Sequence, residues 1–418
     1  MGIDLGTTHT VVAYAKCHAA DTAIHLLPIL QLIAPGEVAE RNVLPSVRYH
    51  PADGELNAAD VVFSAQDGAV LGEAARYLGT KSQGRLVSSA KSWLSHPDID
   101  ATAAILPWGS PAEVNKVSPL EASSSYLRQV MTVWDQRFPE APLNDQEVVI
   151  TVPASFDESA RFLTLQAAQL AGINRVRLLE EPQAVCYDWL RRHQSDLKSQ
   201  LADKQLILVC DVGGGTSDFT LIKIDHSQKE PKLERIAVGD HLLLGGDNID
   251  LSLAHLLESR LQTDNKKLSS SEFSQLTEQC RMAKENLLRT DAPEQVSVTL
   301  LGGGSRLIGG SRRAVLSRED VLKIALDGFL PLSAVGQLPS KRRSGMLAFG
   351  LPYASDPAIS HHIANFLQQH RQATVQIMQD DLGVPDTLLL NGGVFRSEVI
   401  KSRLQTLLTV WRGEKPVA

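Results

Sequence analysis

The chain has 418 residues, of which 43% are hydrophobic and 21% are charged, a composition typical of a soluble globular protein with an ample core. Its length predicts two or three domains. The net charge of −7 argues against a surface for nucleic acid, and no apolar run reaches the roughly 18 residues of a membrane span. We therefore expect a cytoplasmic protein that binds neither nucleic acid nor a membrane.

The cysteines also indicate a reducing compartment. Cys17, Cys186, Cys210 and Cys280 are scattered, without the spacing of a metal site or of a redox pair. Most of them lie in apolar runs, so we predict buried free thiols. The N-terminus lacks the features of a signal peptide, since Asp4 stands where the apolar stretch would be.

The chain opens with an acid, a glycine and two hydroxyls: Asp4, Gly6, Thr7 and Thr8. They lie between a very short predicted strand and a second predicted strand over 10–14. This arrangement predicts a tight hairpin that presents polar groups at its turn.

Short elements occupy the next hundred or so residues. We predict strands and loops over 24–50, a helix over Gly72–Leu78 and a loop at a subdomain margin over Ala101–Pro119. Apolar residues then recur at helical spacing from Glu121 to Phe138, which predicts a long amphipathic helix.

Strands and helices alternate in the following segment, which predicts α/β layering. Glu147–Pro153 and Arg175–Leu179 are predicted strands. Ser155–Glu158 has the sequence of a capping box that opens a helix, and Gly172 ends that helix. Glu181 begins a further helix, with a proline in its first turn.

The most informative stretch is a hairpin whose first strand is Leu206–Cys210. Asp211 and Asp218 bracket the glycines 213–215, which let the backbone offer consecutive N–H groups to a phosphate. Carboxylates beside a phosphate suit a hydrated Mg²⁺. Because Asp4–Thr8 repeats the combination of acid, glycine and hydroxyl, we predict a duplicated architecture with both loops facing one cleft.

Further elements are predicted after this hairpin. Gly245 and Gly246 open a helical region that carries Lys284. Val296–Ile308 predicts a β-meander, and Ile363–Met378 predicts one amphipathic helix. Together they extend the α/β pattern to the second half of the chain.

A third glycine-rich junction stands near the end of the chain. The predicted strand Thr387–Asn391 leads through Gly392 and Gly393 into a helix. Such a junction points helix N-terminal N–H groups at an anion.

Several other kinds of site are excluded by missing motifs. The chain has no P-loop, and no G-x-G-x-x-G opens a helix after a strand. It has no zinc motif and no nucleophile elbow. The pair His361–His362 near a helix start is a weak candidate for metal ligands.

The motifs together resemble the nucleotide-binding domain of the heat shock protein 70 (DnaK-type) chaperones, which have the actin-like ATPase superfold. The stretches that carry the resemblance are, in chain order, GIDLGTTHTVVA, VVITVPASFDESAR, LLEEPQAV, CDVGGGTSDFTL, LGGDNID and LLLNGGVFR. It implies a divergent, bacterial-type member or fragment. It also implies a ribonuclease H-like duplicated α/β fold whose two lobes enclose a nucleotide cleft.

The resemblance implies a stress-response ATPase that uses ATP or ADP and Mg²⁺. The residues with an implied catalytic role are Asp4, Arg76, Glu181, Asp211, Thr216 and Asp218. The residues implied to bind the nucleotide are Gly6, Thr7, Thr8, His9, Gly213, Gly214, Gly215, Gly245, Gly246, Lys284, Gly392, Gly393 and Arg396. Asp4 and Asp211 would hold the metal through water, and Glu181 would couple hydrolysis to lobe rotation.

The chain departs from the family pattern at several site positions. Arg76 stands where the family has a catalytic lysine, and because a guanidinium places an attacking water differently, we expect slow turnover. Arg281 and Glu285 exchange the charges around Lys284, and Leu288 replaces a serine. We therefore expect looser selection of adenine.

The resemblance also implies the division of the chain. Lobe I is predicted over 1–195, with its core in 1–37 and 117–195 and a peripheral subdomain over 38–116. Lobe II is predicted over 196–418, with its core in 196–244 and 312–418 and a peripheral subdomain over 245–311. The chain stops before the last helix of the family domain, so we expect a C-terminal substrate domain, or a partner chain, to be missing. A co-chaperone or exchange factor is the other expected partner.

Two alternatives remain at this point. One is a nucleotide-binding scaffold with weak catalysis whose state is sensed by a partner. The other is a small-molecule kinase of the same superfold, although no acid in the sequence is assigned to activate a substrate hydroxyl.

Overall fold

The computed structural model describes residues 1–16, 23–57, 65, 67–82, 84–227, 231–261, 267–300, 312–340 and 351–418. Cys17 and the second part of the predicted meander Val296–Ile308 lie outside these residues. Cys186, Cys210 and Cys280 are buried and free, as predicted. No helix in the described ranges is long and apolar enough to cross a membrane.

The strands are short in the first third of the chain and longer in the second half. They are β1 Gly2–Leu5, β2 His9–Tyr14, β3 His25–Leu26, β4 Ile29–Ala34, β5 Glu37–Arg41, β6 Leu44–Pro45, β7 Arg48–Tyr49, β8 Val70–Leu71, β9 Leu86–Val87, β10 Val148–Val152, β11 Val176–Glu180, β12 Leu206–Val212, β13 Ser217–Asp225, β14 Lys232–Val238, β15 Gln295–Leu300, β16 Arg312–Ser317 and β17 Thr387–Asn391.

The helices lie between and beside these strands. They are α1 Gly72–Gly79, α2 Ala90–Leu94, α3 Pro119–Arg137, α4 Glu158–Leu170, α5 Glu181–Arg192, α6 Leu197–Leu201, α7 Gly246–Leu261, α8 Ser270–Leu287, α9 Arg318–Leu322, α10 Ile359–Gln369, α11 Arg371–Met378 and α12 Glu398–Trp411. A π-helical turn, Lys323–Gly328, and two 3-10 turns, Leu143–Asp145 and Gly393–Arg396, complete the described helical segments.

Two sheets with the same local topology form the centre of the molecule. In the first, β1 pairs antiparallel with β2 and parallel with β10. In the second, β12 pairs antiparallel with β13 and parallel with β17. The strand orders are β11-β10-β1-β2-β3 and β14-β13-β12-β17. This repetition confirms the duplicated fold, since the two glycine-rich hairpins occupy equivalent places in the two sheets.

Each sheet has its own apolar core. The first core packs α3 and α4 on the first sheet and includes the buried residues Ile3, Ile150 and Leu127. The second packs α7, α8, α10 and α12 around the strands β12 and β13. Helix α5 follows β11 of the first sheet, yet its Cys186 packs with Ile207 on the second sheet.

Two features cross the predicted lobe boundaries, and the division itself stays a prediction. The hairpin of β15 and β16 spans the boundary between 311 and 312, so the peripheral subdomain of lobe II extends at least to Ser317. Leu351, which was predicted in lobe II, belongs to the apolar core of the first sheet. The segment around Leu351 therefore connects the lobes a second time.

Two local predictions were wrong. The N-cap of α4 is Asp157, whose side chain accepts from the Ala160 amide, so Ser155 is free to make other contacts. The helix predicted over Ile363–Met378 is divided at His370, where the backbone leaves the helical region. Apolar spacing continued through this break, so periodicity did not reveal it.

Candidate functional site

A cleft of about 520 Å³ lies between the two sheets and is lined by both glycine-rich hairpins. This volume is within the range of small-molecule sites, roughly 300–1,000 Å³. The predicted site residues that line it are Asp4, Gly6, Thr7, Thr8, His9, Glu181, Asp211, Gly213, Gly214, Thr216, Gly246, Lys284, Gly392, Gly393 and Arg396. Residues far apart in sequence thus meet in one cavity.

The two hairpin turns are built alike. The Gly6 amide donates to the His9 carbonyl at 3.1 Å, and the Gly213 amide donates to the Thr216 carbonyl at 2.9 Å. A Cβ on Gly6 would meet the His9 carbonyl oxygen at 2.4 Å, so the first turn requires glycine. Both turns bring backbone and hydroxyl groups to the cleft.

Each hairpin aspartate is held by a donor on the neighbouring parallel strand. The Thr151 hydroxyl on β10 donates to Asp4 Oδ1 at 3.1 Å. The Asn391 amide on β17 donates to Asp211 Oδ2 at 2.7 Å. The register explains this symmetry, because Asp4 pairs with Thr151 and Asp211 pairs with Asn391. Both carboxylates are therefore oriented before any ligand binds.

Around Lys91, the acidic side chains of the cleft outnumber the basic ones. Lys91 on α2 donates to Glu181 Oε1 at 2.6 Å. Burial opposes its charge, but Glu181, Asp4 and Asp211 outweigh burial and raise the pKa of Lys91. Burial, together with Glu181, raises the pKa of Asp211 well above its usual range, and burial also raises the pKa of Glu181. The crowding of these acids disfavours their charged forms, and a divalent cation would stabilise those forms.

The residues fit a phosphate and a hydrated Mg²⁺. Thr8 Oγ1 is buried in the cleft and has no hydrogen-bond partner among the residues that the structure describes. A Cβ on Gly214 would lie 1.8 Å from that atom, so only glycine lets the two hairpins approach this closely. Backbone groups, a free hydroxyl and carboxylates are the donors and acceptors that a metal-bound phosphate requires.

The second half of the chain contributes a different set of lining residues. From α8 and the residues after it come Arg281, Lys284, Glu285, Leu288 and Arg289. The segment after β17 adds apolar groups, Val394 and Ile400. Such a mixed surface suits a flat, partly apolar group next to the phosphate region.

A buried ionic network lies under this surface. Arg281 contacts Asp247 at 3.1 Å, Asp250 at 3.2 Å and Glu278 at 3.2 Å. Lys284 contacts Asp250 at 2.7 Å and donates to the Gly246 carbonyl at 3.0 Å. The predicted ligand-binding residue Lys284 therefore also joins α8 to the start of α7.

Arg76, which was predicted to face the phosphates, is not among the lining residues. Its guanidinium lies 3.5 Å from Glu278 and 3.9 Å from Glu285, both on α8. It also lies 3.3 Å from His9 Nε2. Arg76 therefore connects α1 in the first lobe to α8 in the second, behind the wall formed by His9.

His9 is neutral in this environment. Burial, reinforced by Arg76, Arg396 and Arg281, lowers the pKa of His9 to about 3. A neutral ring can accept a hydrogen bond from Arg76 at Nε2. His9 thus separates the cleft from Arg76 without adding charge.

Three other predicted residues lie next to the cleft rather than in its lining. A Cβ on Gly245 would meet the Gly214 and Gly213 carbonyls at 2.5 and 2.7 Å, and one on Gly215 would meet Ser92 Oγ at 2.6 Å. Both glycines therefore serve close packing. Asp218 accepts a hydrogen bond from Ser155.

The lobes also meet on the side of the cleft where Asp218 lies. Ser155 Oγ is 2.8 Å from His241 Nδ1 and donates to Asp218. His241 Nε2 is 3.2 Å from Ser95 Oγ. Nearby, Glu180 on β11 accepts from Arg161 at 3.0 Å and also from Arg235 on β14. Together these contacts hold the two sheets against each other.

Sequence reasoning missed several polar lining residues, among them Lys91, Asp247, Asp250 and Asn391. No motif around Lys91 identifies it as a site residue. A lysine on a short helix is usually solvated, so its sequence position alone predicts no role in a cleft. Asp247 and Asp250 could have been found from their spacing of three, which places them on one face of α7.

A duplicated α/β fold whose two acid-bearing hairpins face one interlobe cleft defines the actin-like ATPase class. A family model described as Hsp70 protein matches residues 61–305. The chain belongs to the heat shock protein 70 family.

Several curated relatives are similar over most of this chain. The chaperone protein HscA homolog of Acinetobacter baumannii is 30% identical over 299 residues, which are 70% of this chain and 43% of that protein. The chaperone protein HscA homolog of Shewanella loihica is 32% identical over 313 residues, 72% of this chain and 42% of that protein. The chaperone protein HscA of Photorhabdus laumondii is 32% identical over 267 residues, 61% and 36% of the two chains. The chain thus spans less than half the length of these relatives.

Proposed function

We propose that the cleft binds Mg-ATP between the lobes and hydrolyses it to drive a chaperone-type conformational cycle. The observation that carries this proposal is the pairing of two equivalent hairpins around one cavity. In each, an aspartate is held by a side-chain donor from the adjacent parallel strand, at 3.1 Å for Asp4 and 2.7 Å for Asp211. Two such loops on opposite walls suit a polyphosphate better than either loop alone.

The hairpin backbones and hydroxyls are proposed to hold the phosphates. Thr7, Thr8, Gly214 and Thr216 offer N–H and O–H donors to the cleft, and Gly213 lines it while its own amide closes the hairpin turn. Thr8 Oγ1, which has no hydrogen-bond partner among the described residues, would gain one on binding. Satisfying a buried hydroxyl in this way favours the complex.

Asp4 and Asp211 are proposed to hold Mg²⁺ through water. Their carboxylates are hard oxygen ligands, and a hydrated Mg²⁺ is usually bound by one or two such groups. When bound, the ion would neutralise charge on the phosphate oxygens. The surplus of acids around Lys91 supports a cation at this place.

Glu181 and Glu180 are proposed to couple the cleft to the arrangement of the lobes. Glu181 faces the cleft and accepts from Lys91, whereas Glu180 faces outward and contacts Arg235 of the other sheet. Because these acids are adjacent at the start of α5, a shift of one moves the other. A phosphate-dependent change at Glu181 would therefore reach the interlobe contact.

The nucleoside is proposed to lie against Glu285, Leu288 and Arg289 from the α8 region and against Val394. Lys284 and Arg396 add positive charge to the same cavity. Looser adenine selection, predicted from Leu288, can be measured as the ratio of GTP to ATP affinity.

We also propose the two-lobe division given above, with the peripheral subdomain of lobe II extended to Ser317 and with Leu351 packed in the first core. We further propose a partner that reads the nucleotide state, such as a co-chaperone or exchange factor. Support for a partner comes from the relatives, whose names identify them as chaperones. Slow turnover, predicted from Arg76, stays a prediction that a hydrolysis assay tests.

Calorimetric titration of the chain with ATP and ADP, each with and without Mg²⁺, tests the proposal. We expect binding that Mg²⁺ strengthens, and release of inorganic phosphate under single-turnover conditions. No heat with either nucleotide from a folded chain would reject the proposal. ATP that stays bound and intact would favour the scaffold, and phosphate transfer to an added sugar would favour the kinase.

A further inference from the structure

A second, smaller cavity lies between the lobes, beside the cleft. Its volume is about 70 Å³, and Asp247 and Arg281 line both cavities. Because one water needs roughly 10–15 Å³ of such a space, the cavity has room for a single small group rather than for a nucleotide. Interfaces between domains are common places for ligand sites.

Aromatic rings form one side of this cavity. Trp93 and Trp108 of the first lobe contact each other with their ring centroids 4.9 Å apart, and Trp108 is 45% exposed. Tyr353 adds a third ring from the segment that connects the lobes. The faces of such rings attract organic cations, because the π electrons carry partial negative charge.

Two carboxylates, Asp247 and Glu278, line the same cavity. Both oxygens of Asp247 have partners, since Oδ1 contacts Arg281 at 3.1 Å and Oδ2 accepts from the Ser89 hydroxyl at 2.8 Å. Glu278 is only 5% exposed, and its Oε2 contacts Arg281 at 3.2 Å. Its Oε1 has no hydrogen-bond partner among the described residues, although Arg76 Nε lies 3.5 Å away. One buried carboxylate oxygen beside the cavity is therefore open to a donor.

We propose that this cavity binds a primary alkylammonium group, which donates to Glu278 Oε1 and packs its alkyl stem against Trp108 and Tyr353. A buried acceptor without a donor is costly, so an N–H that reaches it stabilises the complex. The positive charge is attracted to the carboxylates and to the aromatic faces. This site is independent of the proposed ATPase function. Free amines and lysine side chains both carry the group that it takes.

Titration of the nucleotide-free chain with n-butylammonium chloride tests the proposal. With isotope-labelled tryptophan, we expect saturable shifts of the indole resonances of Trp93 and Trp108, with millimolar affinity. n-Butanol has the same stem without the charge, and tetramethylammonium has the charge without an N–H donor. Each should bind about tenfold more weakly, the effect of a lost charge-assisted hydrogen bond.

Two variants test the two sides of the cavity. Trp108→Leu removes the exposed ring and should weaken n-butylammonium about fivefold, the loss of one cation–π contact. Its control is Tyr187→Leu, since Tyr187 is 60% exposed and lies outside the described lining of the cavity. Glu278→Gln should weaken binding about tenfold. Its control is Glu398→Gln, which loses an exposed contact with Lys401.

The source of the group is tested with capped lysine and with diaminobutane. Tighter binding of capped lysine would assign the site to a side chain of a polypeptide, and tighter binding of diaminobutane would assign it to a free polyamine.

Several results would overturn the proposal. They are the absence of saturable binding by any amine, equal shifts with sodium chloride, and n-butanol binding as tightly as n-butylammonium. Unchanged affinity in Trp108→Leu would also overturn it, and this variant keeps the test valid if Glu278→Gln does not fold. All of these measurements omit nucleotide, so they do not depend on whether the chain hydrolyses ATP.

Discussion

Ser155 of the first lobe and His241 of the second meet at 2.8 Å between Oγ and Nδ1, and both lie against the hairpin acid Asp218. Ser95 contacts the other ring nitrogen at 3.2 Å. Two hydroxyls from one lobe thus enclose an imidazole from the other. This contact lies next to the hairpin that lines the cleft, and we expect it to break when the cleft opens.

The first prediction is that Ser155→Ala accelerates ADP release about fivefold, because the loss of a hydrogen bond costs about 1 kcal/mol. Stopped-flow displacement of a fluorescent ADP measures the rate. Ser199→Ala is the control, since its hydroxyl bonds the Asp196 carbonyl at 2.7 Å on an exposed helix. Equal release from both variants would show that the Ser155 contact does not restrain the lobes.

The second prediction concerns the approach of the two hairpins. Gly214→Ala places a Cβ 1.8 Å from Thr8 Oγ1 and 3.1 Å from Asp247 Oδ1. Such overpacking typically costs about 1–3 kcal/mol, so nucleotide affinity should fall about tenfold or more. Gly336→Ala, where no atom of the described residues lies within 4 Å, should leave affinity unchanged. Titration calorimetry measures both, and wild-type affinity in Gly214→Ala would contradict the proposed cradle.

The third prediction concerns the metal. Asp211→Asn keeps an acceptor for Asn391 but removes a charge that burial and Glu181 disfavour. The nucleotide-free protein should melt at a higher temperature. Stabilisation by Mg-ATP should fall by about 1.4 kcal/mol for each tenfold loss of affinity.

The control for Asp211→Asn is Asp188→Asn, an exposed partner of Arg192 at 2.8 Å. It should alter neither the melting temperature without ligand nor the effect of Mg²⁺. Thermal melts with and without Mg-ATP provide the comparison. An unchanged Mg²⁺ effect in Asp211→Asn would exclude Asp211 as a metal-site residue.

The fourth prediction is a pH dependence that originates at His9. Its folded-state pKa is lowered to about 3 by burial and by neighbouring arginines, whereas an unfolded histidine has a pKa of about 6.5. The unfolded chain therefore binds the proton first, and stability is lost as the pH falls from about 6.5 toward 3. From about pH 7 to pH 5, this contribution is about 2 kcal/mol.

His9→Gln should remove the contribution of His9 to the loss of stability in acid, because glutamine stays neutral at every pH. Urea unfolding of the wild type and the variant at each pH measures the difference between their free energies of unfolding. The contributions of the other titrating groups cancel in that difference. The exposed His226, replaced by glutamine, provides the control. Identical pH slopes for wild type and His9→Gln would mean that His9 is protonated in the folded protein.

The elements that could be predicted from the sequence are those whose determining residues lie close together in the chain. The hairpin from Leu206 to Asp225 was predictable because its apolar strand, its glycines and its acids lie close together in the chain. The hairpin residues that line the cleft follow from the same motif. The cap at Asp157 was misassigned to Ser155 because both residue types cap helices, and only tertiary contacts to Asp218 decide between them.

Contacts that depend on long-range packing could not be predicted from the sequence. The role predicted for Arg76 stays a prediction, and its contact with Glu278, which lies some two hundred positions later, has no local signal. Lys91 resembles a surface lysine until Glu181 is placed beside it. In both cases the decisive partner belongs to a distant element, and no local pattern carries that information.

The segment that carries Leu351 has a consequence for how the molecule comes apart. Leu351 is 2% exposed within the core of the first sheet, while the amide of Ala354 donates to the Leu243 carbonyl of the second lobe at 3.1 Å. The same short segment is thus packed into the first lobe and hydrogen-bonded to the second, so loss of structure in either lobe removes a contact that holds it. Heating should therefore produce a single melting transition, and amides of both sheets should exchange with deuterium at a common limiting rate.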